Sequence, residues 1–117
     1  MYIVVRKDLP IEQQLVQACH ASIEMSAHYL GRLSDHPVVV AVVVKDEKKL
    51  KQVARRLKDG GVKFRGFYEP DLGNQMTALA TKPLYGIERE FFEQFQLFRG
   101  SYNKAPQRDA DWLSATL

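Results

Sequence analysis

Gln13, Gln17, His20, Glu24 and His28 recur three or four residues apart, a spacing that puts five polar side chains on one face of a helix. Further along, Glu69 and Asp71 bracket Pro70, and Thr77 follows in an apolar run. A carboxylate or an imidazole can position or deprotonate a water, and amide and hydroxyl groups can donate hydrogen bonds to a developing oxyanion. If the fold sets the second segment beside the helix face, Gln17, His20, Asp71 or Glu69, and Thr77 surround one cleft equipped to hydrolyse an ester. Taken singly, Gln13, Glu24 and His28 read as the solvated face of an amphipathic helix. Gln17 and His20 stand among the small residues Ala18, Cys19, Ala21 and Ser22, where a neighbouring element can approach and desolvate them.

Two other chemistries fit less well. Cys19 adjoins His20, but successive residues on a helix point about 100° apart, so the pair is no thiol–imidazole couple and Cys19 reads as a small buried residue. His20, Glu24 and His28 could hold zinc from one helix face. However, such a set needs a further ligand from elsewhere, and no thiolate cluster supplies one. No metal or cofactor is expected.

The chemically equipped helix follows a β-rich run, Tyr2 to Arg6, and a turn from Lys7 to Pro10. It reads as spanning Ile11 to Leu33, with Pro10 at its first position. Ile11, Leu15, Ala18, Ser22, Met25 and Tyr29 form its packing face. Gly31 to Pro37 breaks it, and Val38 to Val44 is a strand covered on both faces, which makes strand, helix and strand a right-handed βαβ unit. Asp46 to Lys58 is a second helix, capped by Asp46, striped by Leu50, Val53, Ala54 and Leu57, and stopped by Gly60 and Gly61. Val62 to Tyr68 and Met76 to Thr81 form an antiparallel hairpin around a connector rich in turn formers. After Pro83 the spacing of Ile87, Phe91, Phe95 and Phe98 predicts a helix to Arg99. Trp112 and Leu113 in the polar tail then dock on the domain or on a second subunit, which leaves room for a homodimer. The fold class is α/β: one domain with a mixed four-stranded sheet in βαβαββ order, helices on its faces and a C-terminal helix. Residues 1–83 form the α/β portion, and residues 84–117 a helix and tail packed on it.

A chain of 117 residues with 45% hydrophobic and 26% charged residues suits one soluble domain with a single core. No apolar run approaches the roughly 20 residues that cross a bilayer. A start without a signal-like order and a single cysteine lead to the expectation of a cytoplasmic protein. The net charge of +3 is concentrated in residues 1–83, which carry 13 Lys and Arg against 9 Asp and Glu. That tilt permits a polyanionic partner such as nucleic acid. Lys48, Lys51 and Arg55 on the second helix, together with Lys7, are the candidate phosphate contacts.

The strand V-V-R-K-D-L, the helix segment Q-A-C-H-A at Gln17 to Ala21, the Val-rich second strand, the basic second helix and T-A-L-A at Thr77 to Ala80 resemble the type II peptidyl-tRNA hydrolase family. The resemblance covers about the first 83 residues in the right order. It implies a mixed α/β sheet, a role in translation through hydrolysis of the ester between peptide and tRNA, no cofactor, and often a dimer. Gln17, His20 and Thr77 stand at matching positions. The family's lysine near the start of this helix falls on Gln13, and its acidic loop is shortened to Y-E-P-D-L-G-N-Q, so either Asp71 or Glu69 stands for its aspartate. An inactive tRNA- or protein-binding module on the same fold is the alternative. A ferredoxin-like regulatory domain is weaker, because its element order is βαββαβ.

Overall fold

The computed structural model describes residues 1–29 and 38–99. Strands β1 (Tyr2–Arg6), β2 (Val40–Val44), β3 (Phe64–Glu69), β4 (Gln75–Thr81) and β5 (Gln96–Leu97) form one mixed sheet in the order β3-β4-β1-β2-β5. β1 and β2 pair in parallel from Tyr2 opposite Val40 to Arg6 opposite Val44, and the remaining pairings are antiparallel. A split βαβ would set another strand between β1 and β2, so the ferredoxin-like alternative falls.

Helix α1 (Ile11–His28) lies on one face and α2 (Glu47–Asp59) on the other. The alternation within β1 shows this directly. Tyr2 and Val4 join Leu50, Val53 and Leu57 of α2, while Ile3 and Val5 join Ala21 and Met25 of α1. The local signals of α2 hold: the Asp46 carboxylate accepts from the Lys49 N–H at 3.0 Å, and the Gly60 N–H donates to the Arg56 carbonyl.

Four expectations need correction. First, α1 ends at His28, because Tyr29 is already extended; Pro10 is its N-cap rather than its first residue. The expected break at Gly31 to Pro37 falls outside the described residues. Second, α1 keeps Ala18, Met25 and Tyr29 of its expected packing face against the core but is rotated away from Ile11 and Leu15. Gln14, Gln17, Ala21 and Met25 are buried, whereas Leu15 is 59% exposed and Ile11 40%. The rotation sets Ala21 against Ala78 and Ala80 of the sheet, all fully buried. Small side chains on both sides allow close approach, so volume rather than hydrophobicity orients the helix. Cys19 is consequently exposed, not buried.

Third, among the described residues no α-helix follows Pro83. Gly86–Gln94 is a 3-10 segment, in which Phe92 stacks on Tyr2 with centroids 4.3 Å apart, and Phe91 and Phe95 meet Phe92 edge-on. Ile87, expected on the apolar face, is 78% exposed. Fourth, among the described residues the sheet has five strands rather than four. The chain turns extended at Phe95, and β5 pairs with the open edge of β2 through Leu97 opposite Val42 and Gln96 opposite Val43. Pairing satisfies backbone groups that an edge strand leaves unpartnered. Trp112 and Leu113 lie outside the described residues. Among those residues no helix is long and apolar enough to cross a membrane.

Candidate active site

α1 and the edge strand β3 meet in three rungs. The Gln17 amide Nε2 donates to Glu69 Oε1 at 3.4 Å, the His20 ring stacks on Phe67 at 4.5 Å with 10° between planes, and Arg65 bridges to Glu24 at 3.1 Å. The match follows from pitch. Two residues along a strand advance about 6.6 Å and three or four along a helix about 4.5–6 Å, so same-face residues of antiparallel elements stay in step for a few rungs.

Beneath the first rung lies Thr77. Its hydroxyl donates to Gln17 Oε1 at 2.6 Å, and both side chains are fully buried. Simple alternation would turn Thr77 away from α1, because Ala78 already packs on that side. The register, however, shifts between Phe67 and Tyr68: Phe67 opposes Ala78 and Tyr68 opposes Met76, which leaves Thr77 as an extra residue. This β-bulge re-aims its side chain toward Gln17. Thr77 thus orients the Gln17 carbonyl, and the amide turned the opposite way reaches Glu69 and, at 3.5 Å, Gln13 Oε1.

Side chains from the α2 face hold the residue before the bulge. The Met76 N–H donates to Glu47 Oε2 at 2.8 Å, and the Met76 carbonyl accepts from Arg6 Nη1 at 3.2 Å. Arg6 also donates to Gln75 Oε1 at 2.8 Å and forms a two-pronged pair with Asp8, at 3.0 and 2.9 Å. Hydrogen bonding by Arg6 holds the Asp8 carboxyl below its ordinary range, and Asp8 raises the Arg6 guanidinium in return. The connector turns through a 3-10 segment at Pro70–Leu72, closed by Gly73 at φ 65° and Asn74 at φ 59°. Glycine suits the first of these because left-handed backbone carries no Cβ penalty there. The turn leaves Asp71 exposed, whereas Glu69, the last residue of β3, is half-buried against α1.

Of the residues picked from the sequence, Gln17, His20, Glu69 and Thr77 come together on the α1 face, with Gln13 at the exposed rim. Of the rest, Glu24 forms the outer rung with Arg65, Asp71 sits in the exposed connector turn, and the basic residues lie apart. Lys7 turns toward the opposite sheet edge, where its Nζ is 3.4 Å from Gln96 Oε1. Lys48, Lys51 and Arg55, with Glu47 and Gln52, line an open groove of about 410 Å³ along α2, on the other face of the sheet. Glu24 and His28 engage Arg65 and each other. Sequence reasoning missed Arg65 and Phe67, although they alternate with Glu69 on one side of the strand. It also missed the Arg6 and Glu47 clamp, which no local spacing signals.

The fold and site define a small mixed-sheet α/β protein that assembles a hydroxyl, an amide, a carboxylate and an imidazole between its first helix and the β3–β4 hairpin. The family model of peptidyl-tRNA hydrolase PTH2 matches residues 1–91, and the chain belongs to that family. A search of curated proteins finds no match to it.

Proposed function

We propose that this chain hydrolyses the ester between a peptide, or an N-acyl-aminoacyl group, and the terminal adenosine of tRNA. The observation that carries the reading is the hydrogen-bonded string from Thr77 through Gln17 to Glu69, which fixes a half-buried carboxylate one rung from the His20 imidazole that stacks on Phe67. Glu69 accepts a proton from a water as the water oxygen bonds to the ester carbonyl carbon. The tetrahedral intermediate then expels the ribose oxygen, which recovers the proton. His20, its ring held flat on Phe67, hydrogen-bonds the water or the developing oxyanion. Gln17 and Thr77 act beneath the surface by positioning Glu69. Gln13, exposed beside Gln17, and Asp71, exposed in the turn that follows Glu69, are free to meet substrate.

The tRNA backbone supplies the charge to which a basic protein responds. Glu47 at the start of α2 bonds to Met76, so α2 begins at the sheet end where the connector enters β4. A long polyanion reaching around that end meets both the site and Lys48, Lys51 and Arg55. A second reading, a binding module without turnover, is favoured by one observation: Gln13, not lysine, stands at the helix position where the family resemblance places a cation.

The deciding experiment is release of peptide from N-acetyl-aminoacyl-tRNA by the purified protein and its Glu69→Ala, Asp71→Ala and His20→Ala variants. Turnover lost with Glu69→Ala and His20→Ala but kept with Asp71→Ala is expected. Full activity in His20→Ala and in a Glu69→Ala/Asp71→Ala double variant overturns the mechanism. Absent turnover in the wild type, with tRNA binding that weakens as salt rises, establishes the module reading.

A further inference from the structure

α1 covers only part of its face of the sheet. It packs on β4, β3 and β1, and on its other flank lies an open groove of about 420 Å³ with an almost wholly apolar lining. Ile3, Ala41 and Phe98 line it from the sheet side, and Leu15, Cys19 and Ile23 line it from α1. Leu15, Cys19 and Ile23 stand four residues apart, a stripe roughly 12 Å long. Leu15 is 59% exposed and Ile23 65%. None of the three rungs to β3 uses this flank, so the proposed chemistry does not account for it. A contiguous apolar surface of this kind marks a place where something docks.

The chain itself indicates the occupant. The Phe98 N–H donates to the Ala41 carbonyl at 2.9 Å and Phe98 lines the groove, so the polypeptide leaves the sheet at the groove rim. Residues 100–117 follow, and they contain Tyr102, Trp112, Leu113 and Leu117, with Lys104 and Arg108 balanced by Asp109 and Asp111. Trp112 comes 14 residues after Phe98, a reach of up to roughly 45 Å. That is several times the length of the stripe, so the segment can turn back across it. Tethering at the rim makes docking intramolecular, at an effective concentration on the order of millimolar. A second copy competes only at its bulk concentration.

We propose that the C-terminal segment centred on Trp112 and Leu113 occupies this groove of its own chain and completes the layer that α1 leaves unfinished. Trp112 is the single tryptophan of these 117 residues, so its fluorescence reports the contact in the intact chain. The experiment compares emission maximum and acrylamide quenching in the wild type and in a Leu15→Lys/Ile23→Lys variant, with far-UV circular dichroism as the check on folding. Both positions are more than half exposed, so the fold tolerates the change. The wild type is expected to emit at shorter wavelength than free tryptophan at every protein concentration, and the variant to shift to the solvent value with higher quenching. In parallel, a Trp112→Ser/Leu113→Ser variant should expose Cys19 in the groove, raising its rate of modification by a thiol reagent about tenfold.

Solvent-like emission from the native wild type overturns the proposal. So does an emission maximum unmoved by the groove substitutions, which would place Trp112 elsewhere. A blue shift that appears only as concentration rises, together with a doubled mass in solution, also overturns it and assigns the groove to a second copy.

Discussion

Replacing Thr77 with valine keeps a β-branched side chain and deletes one hydroxyl, which donates at 2.6 Å to Gln17 Oε1 inside a fully buried pair. The hydrogen bond itself contributes about 0.5–1.5 kcal/mol, and a buried acceptor left without a donor costs about 1–3 kcal/mol. With no solvent at either side chain, we expect Thr77→Val to destabilise by about 2 kcal/mol, lowering the melting temperature by about 10 °C for a domain of this size. Gln17→Leu orphans the threonine hydroxyl instead and also releases Glu69. In the double variant both ends of the bond are apolar, so its cost should fall short of the summed single costs by about 1 kcal/mol or more. Urea denaturation of the four proteins measures this cycle. The same Thr77→Val protein should lose on the order of tenfold or more in kcat with KM little changed, because Glu69 is no longer held. A strictly additive cycle, or a Thr77→Val cost below about 0.5 kcal/mol, refutes the string from Thr77 to Glu69 as the positioning device.

Three further outcomes follow from named contacts. Asp46→Ala removes the cap that accepts from the Lys49 N–H and should cost about 1 kcal/mol in urea denaturation. Because Arg6 holds the Asp8 carboxyl low, the Asp8 contribution is complete above the ordinary carboxylate range near about 4 and is lost as pH falls toward the depressed value. Asp8→Asn should therefore weaken the protein at neutral pH and flatten the acid limb of its stability profile, as read by acid unfolding. Finally, Lys48→Ala/Lys51→Ala/Arg55→Ala should reduce the slope of log K against log salt for tRNA binding by about 2 to 3; an unchanged slope removes α2 from the footprint.

Much of the fold was legible because the signals were local. The β-branched run from Tyr2 to Arg6 is a strand with those ends, Asp46 caps α2, and Gly60 and Gly61 stop it, each through neighbours within a turn of chain. The connector announced its hairpin in the same way, through Pro70, Gly73 and Asn74. The polar stripe of Gln13, Gln17, His20 and Glu24 was also visible, since helical spacing alone puts these residues on one side.

Whatever required a second element to be decided was hidden. α1 carries apolar residues at Leu15 and Ile23 and small ones at Ala18 and Ala21, and either set could have faced the sheet. The space above Ala78 and Ala80 chose the small ones and left Leu15 and Ile23 exposed. The phenylalanine spacing after Pro83 fits a helix, yet the open edge of β2 drew Gln96 and Leu97 into a strand.

The site shows the same division. The amino-acid order alone supplied the inventory: an amide, an imidazole, a hydroxyl and two carboxylates at spacings that could converge, and a helix to carry the first two. Tertiary structure decided which carboxylate meets the helix and where the hydroxyl points. Glu69 is the last residue in register on β3, so strand parity turns it to α1, whereas Asp71 has entered the turn. The bulge clamped by Arg6 and Glu47 adds one residue to β4 and turns Thr77 to the same side. Parity and bulges depend on the partner strand, and a single strand's sequence carries no record of its partner's register.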